Sequence, residues 1–384
     1  MPKSDDQNSR SADTGQLADL RIAQVEAIPV AIPLTKPMIM GSERIVRATN
    51  VIVRLETEDG QVGWGEATSA PTMTGDLQAG MVAAITDYLA PALIGANPLD
   101  LDAIGNILAH RIHANNAAKA AVDLAVHDLA GRFLGVPVVD LFGGAVRESL
   151  SPMWLVGTPT PEENAREAAA KRAEGIRFFK LKVGTKTLAN DILAAGAVRE
   201  AIGAETDMAA DANMAWSVNQ ATEFVHATGG LGMLYLEQPV RDDDLAGMAA
   251  IAKGPVPIAA DEGIHGFDSI ESHARMGAAS GAGLKLIKFG GCARILKAAK
   301  LCERLGLKIN LASKVAESSI AAAGLVHVAA AIPSLEWGVS ISNHYLSDDL
   351  VAKPLLPVNG FVAVPRSPGL GIEVDPNRID AHRI

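Results

Sequence analysis

Charged residues recur at regular intervals through the second half of this 384-residue chain, each within or at the end of a short apolar run. They are Lys180 and Lys182, then Asp211, Glu237, Asp261, then Lys285 and Lys288. The steps from Lys182 onward are 29, 26, 24 and 24 residues, each the length of one strand plus one helix. Three carboxylates brought into one low-dielectric pocket repel one another and raise their own pKa values. A bound cation removes that cost. Asp211, Glu237 and Asp261 offer only oxygen, which suits a hard ion: Mg²⁺ where positions must stay open for substrate oxygens, with Mn²⁺ as its substitute. A lone strand-end acid as readily caps the following helix. Three on consecutive strands, with lysines on both flanks, argue for the metal.

Lys180 and Lys182 are two apart on a strand and point to one face. Buried there, both amines are costly. Desolvation and the neighbouring like charge are expected to lower their pKa toward working pH, as a general base requires. Lys285 and Lys288 are three apart, so on a strand only one faces the cavity. The step from Asp261 and the apolar neighbours Leu284, Leu286 and Ile287 favour Lys285 inward, leaving Lys288 near the strand end, in the loop or under a helix. An amine on either side of a cation suits removal of the proton next to a substrate carboxylate, a step whose enediolate product needs charge stabilisation.

The elements that must position these groups read as strand–helix repeats. Candidate strands are Pro152–Val156, Arg177–Val183, Asp207–Asp211, Met233–Glu237, Pro257–Asp261, Leu284–Lys288, Lys308–Ala312 and Leu335–Ser340. Helices such as Pro161–Gly175, Asn219–Thr228, Ser269–Met276 and Cys292–Leu305 lie between them. Such alternation means parallel pairing, and eight repeats match an α/β fold of the (β/α)8 TIM-barrel type, whose strand C-termini form the active-site mouth. An open doubly wound sheet would be expected to carry a Gly-rich phosphate loop after its first strand, and none follows here. Upstream, strands Arg21–Ile32, Asn50–Glu56 and Gln61–Gly65, the latter two flanking the turn Glu58-Asp59-Gly60, precede helical patterns at Leu77–Leu93, Leu99–Ile112 and Ala117–Leu134. The expected division is a disordered tail over 1–18, an α+β capping domain over 19–145, the barrel over 146–354 and a C-terminal segment, 355–384, that returns to the capping domain.

A formal charge of −10 argues against nucleic acid, which needs clustered Lys and Arg. Cys292 and Cys302 give no disulfide framework, which fits a reduced, cytoplasmic setting. The polar N-terminus reads as neither signal peptide nor membrane anchor. The apolar run Ile320–Ile332 is too short to span a bilayer and carries His327, so it reads as a buried helix.

The residues resemble the enolase superfamily, and within its mandelate racemase/muconate lactonizing enzyme family the muconate lactonizing enzyme subgroup with its Lys-x-Lys motif. The resemblance spans most of the chain: GWGEA (Gly63–Ala67), AAVDLAVHDLAG (Ala120–Gly131), FKLKVG (Phe179–Gly184), DANMAW (Asp211–Trp216), LEQP (Leu236–Pro239), ADEG (Ala260–Gly263), LKLIKFGG (Leu284–Gly291) and PGLGIEVD (Pro368–Asp375). Lysine bases combined with Mg²⁺ are familiar in that superfamily. The resemblance implies that the first lobe and the tail cap the barrel mouth, with mobile loops Pro33–Arg47 and Ala67–Asp76 setting selectivity. It implies Lys182 and Lys285 as the acid/base pair, with Lys180 modulating Lys182 and holding the carboxylate. Asn213 and Glu262 look like supports. Glu317, in AESSI, resembles the acid after the seventh strand, or else caps the next helix.

A lysine at the sixth strand sets aside the mandelate racemase type, which uses a His–Asp dyad. The sequence WGVSISNHYL (Trp337–Leu346) lacks the paired aspartates usual in dipeptide epimerases, which argues against ordinary dipeptides. His344 is a candidate to reach the pocket, set against plain packing, and Trp154 a candidate to line the site or fill the core. The resemblance implies an isomerase for a small-molecule carboxylate, working as a homo-oligomer. Lysines on both faces favour a racemase or epimerase of an α-substituted, amino acid-like carboxylate. The alternatives are a muconate-type cycloisomerase, a syn-dehydratase of a hydroxy acid and, from another class, a non-catalytic binding barrel, against which two buried amines speak.

Overall fold

The structure, a computed structural model, describes residues 20–40 and 43–384. The tail expected over 1–18 lies outside the described residues. Strands β1 (Ile22–Met40), β2 (Glu43–Thr57) and β3 (Val62–Thr68) form an antiparallel sheet in that order. Helix Asn116–Leu134 lies across it, buried without a break from Ala117 to Gly131, including the polar Lys119, Asp123, His127 and Asp128. Gly65 permits the approach, since a Cβ there would stand 1.9 Å from the Ala121 carbonyl oxygen.

Eight short strands follow and pair in parallel, in chain order: β5 (Trp154–Val156), β6 (Phe178–Lys182), β7 (Asp207–Asp211), β8 (Leu236–Glu237), β9 (Ile258–Ala260), β10 (Gly281–Leu284), β11 (Lys308–Ala312) and β12 (Val339–Ser340). A parallel bridge from Pro152 to Val339, with Met153 N–H donating to the Val339 carbonyl at 2.9 Å, brings the first strand back to the last. The expected (β/α)8 barrel is therefore present. Met153, Phe178, Tyr235 and Trp337, packed with Ala209 and Ala259, fill its interior below the charged residues. The registers Lys182↔Asp211 and Asp211↔Glu237 place the charges at one level. Among the described residues no helix is long and apolar enough to cross a membrane, and Ile320–Ile332 supplies most of the buried helix Ser319–Ala331.

The sixth barrel strand corrects the sequence reading. The chain is extended over Gly281–Leu284, whereas Leu286–Phe289, expected as strand, is a helical turn. Small residues disguise the true strand because the space above them is taken. A Cβ on Gly283 would stand 2.9 Å from an Asp261 carboxylate oxygen.

The C-terminal segment divides its contacts. Strand β13 (Val362–Ala363) pairs antiparallel with β4 (Ser149–Leu150) ahead of the barrel, while Arg383 bridges Val30 of the first sheet. Two buried carboxylates tie the first lobe to later parts of the chain, one to the C-terminal segment and one to the barrel. Asp128 accepts from the N–H groups of Trp64 and Leu370, at 2.9 and 2.8 Å. Glu66 of β3 caps the barrel helix Ser319–Ala331: it accepts from the Ser318 hydroxyl at 2.6 Å, the Ala321 N–H at 3.0 Å and the Asn50 amide at 2.6 Å. Replacing Glu66 with alanine strands these buried donors, so a loss of about 2–4 kcal/mol in urea denaturation is expected. A loss below about 0.5 kcal/mol would mean that the cap carries no weight.

Candidate active site

A cavity of about 120 Å³ opens at the C-terminal ends of the barrel strands, with Lys180, Lys182, Asp211, Asp261, Glu262 and Lys285 among its walls. Alternation along each strand explains the choice. Phe178, Lys180 and Lys182 point inward from β6 while Phe179 and Leu181 join the outer core. Lys180 donates to Glu237 at 2.5 Å, and Lys182 donates to Asp211 at 2.5 Å and to the Asn213 side-chain oxygen at 2.8 Å. Asn213 passes the chain on, donating to Glu262 at 2.9 Å. Lys285 bonds Asp261. So does Lys288, at 2.7 Å, because the helical turn after β10 swings it back behind that carboxylate. Lys288 is not part of the cavity wall, so one of the pair faces the cavity, as expected, but both hold Asp261.

The electrostatics follow from burial against pairing. Burial works against the Asp211 charge, but Lys182 and Lys180 outweigh it and lower its pKa. Lys285 and Lys288 likewise outweigh burial and hold Asp261 well below the usual carboxylate range. Burial raises Glu237 despite Lys180, and pushes Glu262 up to about 7 with help from Asp261 and Asp211. The lysines depart from expectation. Burial pulls Lys180 and Lys285 down, but the facing carboxylates, Glu237 and Asp261 foremost, outweigh it and hold both amines above the ordinary lysine value. Lys288, by contrast, is lowered by burial.

Glu237 Oε1 and Glu262 Oε2 are buried and accept no hydrogen bond. A buried carboxylate oxygen without a donor, beside two further acids, has the chemistry of a cation ligand. The three strand-end carboxylates are each drawn toward their own lysines. A tighter group, Asp123, His127 and Cys292, has its potential ligand atoms within 4.8 Å of one another. Its groups are committed elsewhere: Asp123 caps helix Cys292–Arg304 through the Cys292 N–H at 2.7 Å, and His127 Nδ1 meets the Asp123 carbonyl at 2.8 Å.

Two profiles account for most of the chain: the enolase C-terminal domain-like model matches residues 163–378, and the mandelate racemase/muconate lactonizing enzyme N-terminal domain model matches 22–143. The chain belongs to the mandelate racemase/muconate lactonizing enzyme family. It is 30% identical over 360 residues to L-Ala-D/L-Glu epimerase of Bacillus subtilis, covering 92% of this chain and 97% of that protein. The crystal structure of N-succinyl Arg/Lys racemase from Bacillus cereus superposes with a TM-score of 0.90 at 29% identity, over 95% of this chain and 98% of that one. Muconate lactonizing enzyme from Pseudomonas fluorescens, complexed with muconolactone, gives 0.91 at 29%, over 95% and 100%. Like these members of the mandelate racemase/muconate lactonizing enzyme family, the chain is an isomerase, of the racemase/epimerase or cycloisomerase kind.

The remaining candidates fall differently. Trp154 does not line the cavity. It pairs with Phe179 on the outer face, and Leu155 takes the wall position instead. His344 is also absent from the wall. It stacks on Trp154, ring centroids 4.8 Å apart, and both ring nitrogens are buried without a hydrogen bond. Burial pushes it down to about 4. Of the two loops expected to set selectivity, 67–76 supplies Thr72 and Met73 to the wall, and no described residue of 33–47 does so.

Sequence reasoning missed Gln238, the third residue of LEQP, whose side-chain oxygen accepts from the N–H groups of Asp261 and Gly263 at 2.9 and 3.1 Å and fixes that strand end. It missed Lys314 too, which stands 29 residues after Lys285, one further repeat of the same spacing. Glu317 sits behind the wall rather than in it, and burial with Glu66 nearby pushes its pKa up to about 8. Unfolded, it would give up its proton near the ordinary glutamate value of 4.5. Its contribution to stability therefore falls as pH rises from about 4.5 through about 8. Glu317→Gln is expected to flatten that slope, the variant gaining on the parent in denaturation series toward pH 8. Parallel profiles would show Glu317 to be ionised throughout.

Proposed function

We propose that this isomerase is a Mg²⁺-dependent racemase or epimerase of an α-substituted, amino acid-like carboxylate. One observation carries the reading: Lys182 leaves β6 and Lys285 follows β10, four strands apart in a ring of eight, so the two amines flank the cavity from opposite sides. Asp211, Glu237 and Asp261 would hold the cation, with Mn²⁺ as an alternative occupant. The donor-free Glu237 Oε1 supports that assignment. A bound divalent ion supplies positive charge opposite the substrate carboxylate. Such an ion would also draw carboxylate charge away from the lysines and so favour the neutral amine.

The remaining work falls to the chain. One lysine takes the α-proton from one face of the carbon and the other returns a proton on the opposite face. Asn213 fixes the Lys182 amine, while Lys180 holds Glu237 in place. Leu155, Ala312 and Val315 supply the apolar part of the cavity wall. N-succinyl Arg/Lys racemase and L-Ala-D/L-Glu epimerase, by their names, invert such carbons. The likeness to a muconate lactonizing enzyme bound to its lactone favours a cycloisomerase as the second reading. A cytoplasmic homo-oligomer completes the proposal, supported by the buried free thiols of Cys292 and Cys302 and by the family resemblance.

Deuterium wash-in at the α-carbon, followed by NMR across N-acylamino acids, proline derivatives, hydroxy acids and muconates, tests the reading. Both enantiomers of one acid should exchange. Exchange in neither, with muconate absorbance changing instead, would transfer the site to the cycloisomerase reading.

A further inference from the structure

A second cavity, of about 1050 Å³ against about 120 Å³ at the barrel mouth, opens between the first lobe and the barrel. Helices Leu101–Arg111 and Asn116–Leu134 supply one side of it, and the segments that follow β9 and β10 supply the other. It shares no wall residue with the reaction cavity.

One of its wall residues is a buried cation without a counter-charge. Lys119 is only 7% exposed, and its ammonium donates to the Ile112 carbonyl at 2.7 Å. An ammonium has three protons to give, and among the described residues no carboxylate pairs with this one. Burial and the nearby Arg294 guanidinium both lower the Lys119 pKa, so the charge acting on it is a second cation. Arg294 is fixed from two sides. Its Nε donates to the Phe289 carbonyl at 2.6 Å, and its guanidinium lies over the Phe267 ring, 5.2 Å from the centroid. Its two terminal nitrogens are left for a ligand. Lys297, one turn along the same helix, brings a third positive charge to the wall. The acids of the wall serve other partners. Asp123 accepts from the Cys292 N–H at 2.7 Å and stands 3.4 Å from His127, while Asp102 and Asp268 sit in the first turns of their own helices, where the dipole favours them. A buried ammonium is costly alone and stable beside an anion.

From this arrangement we infer that the cleft between the lobes binds a small organic phosphate, its phosphate group on Lys119, Arg294 and Lys297 and its apolar body against Leu101 and Phe267. A phosphate dianion answers several positive charges better than one carboxylate does, and the guanidinium fork suits its oxygens. An inorganic ion alone leaves most of this volume unfilled, and cavities of such size hold organic ligands. The site stands apart from the racemase reading, because it uses none of the residues on which that reading depends.

Calorimetric titration of the full-length, Mg²⁺-loaded protein with phenyl phosphate, phenol and inorganic phosphate tests this. Phenyl phosphate should bind about 10- to 100-fold more tightly than phenol, and added salt should shrink the difference. Inorganic phosphate should trail phenyl phosphate by about 10-fold, since it leaves the apolar wall unused. Arg294→Gln and Lys297→Gln, both at exposed positions, should each weaken phenyl phosphate about 2- to 5-fold and together about 10-fold, with phenol unaffected. Arg294→Lys should keep more affinity than Arg294→Gln, because the charge stays while the fork is lost. Lys119→Met should abolish the preference over phenol; if that variant fails to fold, the exposed pair decides alone. Equal affinity of the parent for phenyl phosphate and phenol, or for phenyl phosphate and inorganic phosphate, overturns the inference. So does a phosphate preference undiminished in the double variant, since the ligand then sits on the cation at the barrel mouth.

Discussion

Replacing Lys182 with alanine is expected to slow α-proton exchange of one substrate enantiomer by about 10²–10⁴-fold, the usual contribution of a positioned acid or base. The opposite enantiomer should keep its exchange, because Lys285 faces it from across the ring. Lys285→Ala should show the mirror pattern, and both variants should lose net racemisation, which needs both amines. Lys182→Arg should fail as well, since a guanidinium stays charged and cannot accept the proton. Deuterium incorporation into each enantiomer, read separately, is the measurement. Equal loss for both enantiomers in each single variant, with melting unchanged, would point to a single shared proton carrier and end the two-sided model.

The second large effect concerns the cation. Chelation should lower exchange by about a thousandfold or more, since charge stabilisation by a metal is worth several kcal/mol at the transition state, and added Mg²⁺ should restore it. Binding should register in stability as well as in rate. A ligand that binds the folded state alone and is present at a hundred times its Kd adds about 2.7 kcal/mol. The melting temperature should therefore climb with Mg²⁺, and Glu237→Gln should weaken that climb, because Glu237 brings the donor-free oxygen. Exchange that persists in chelator, with melting indifferent to Mg²⁺, would strip Asp211, Glu237 and Asp261 of their proposed role.

How far the sequence spoke for the site depended on local context. Acids and lysines in apolar strand settings are costly enough to announce themselves, and their even spacing placed them at one barrel level before any coordinates. Trp154 shows the limit. A strand's phase has to be right to the residue, because one step reverses inside and outside, and nothing near Trp154 marks which of Met153, Trp154 and Leu155 faces in. The strand before Lys285 was obscured for another reason: Gly281-Ala282-Gly283 lacks the branched side chains of a strand because the Trp337 ring fills the room at Gly281 and Asp261 the room at Gly283. That error also hid the hold of Lys288 on Asp261, since only a helical turn brings both lysines to one carboxylate. Glu66 and Lys314 depend on partners far along the chain, and such contacts leave no local pattern. Lys314 alone had a usable signal, its distance from Lys285.

The Glu66 cap has a kinetic corollary. Swinging the whole upper lobe away from the mouth would break this buried cluster, which joins β3 to the barrel helix Ser319–Ala331. Displacing the short stretch around Thr72 and Met73 leaves that cap alone and opens the bridge between Ala70 and Asp76. Stiffening that stretch is therefore expected to slow product escape before it touches the chemistry.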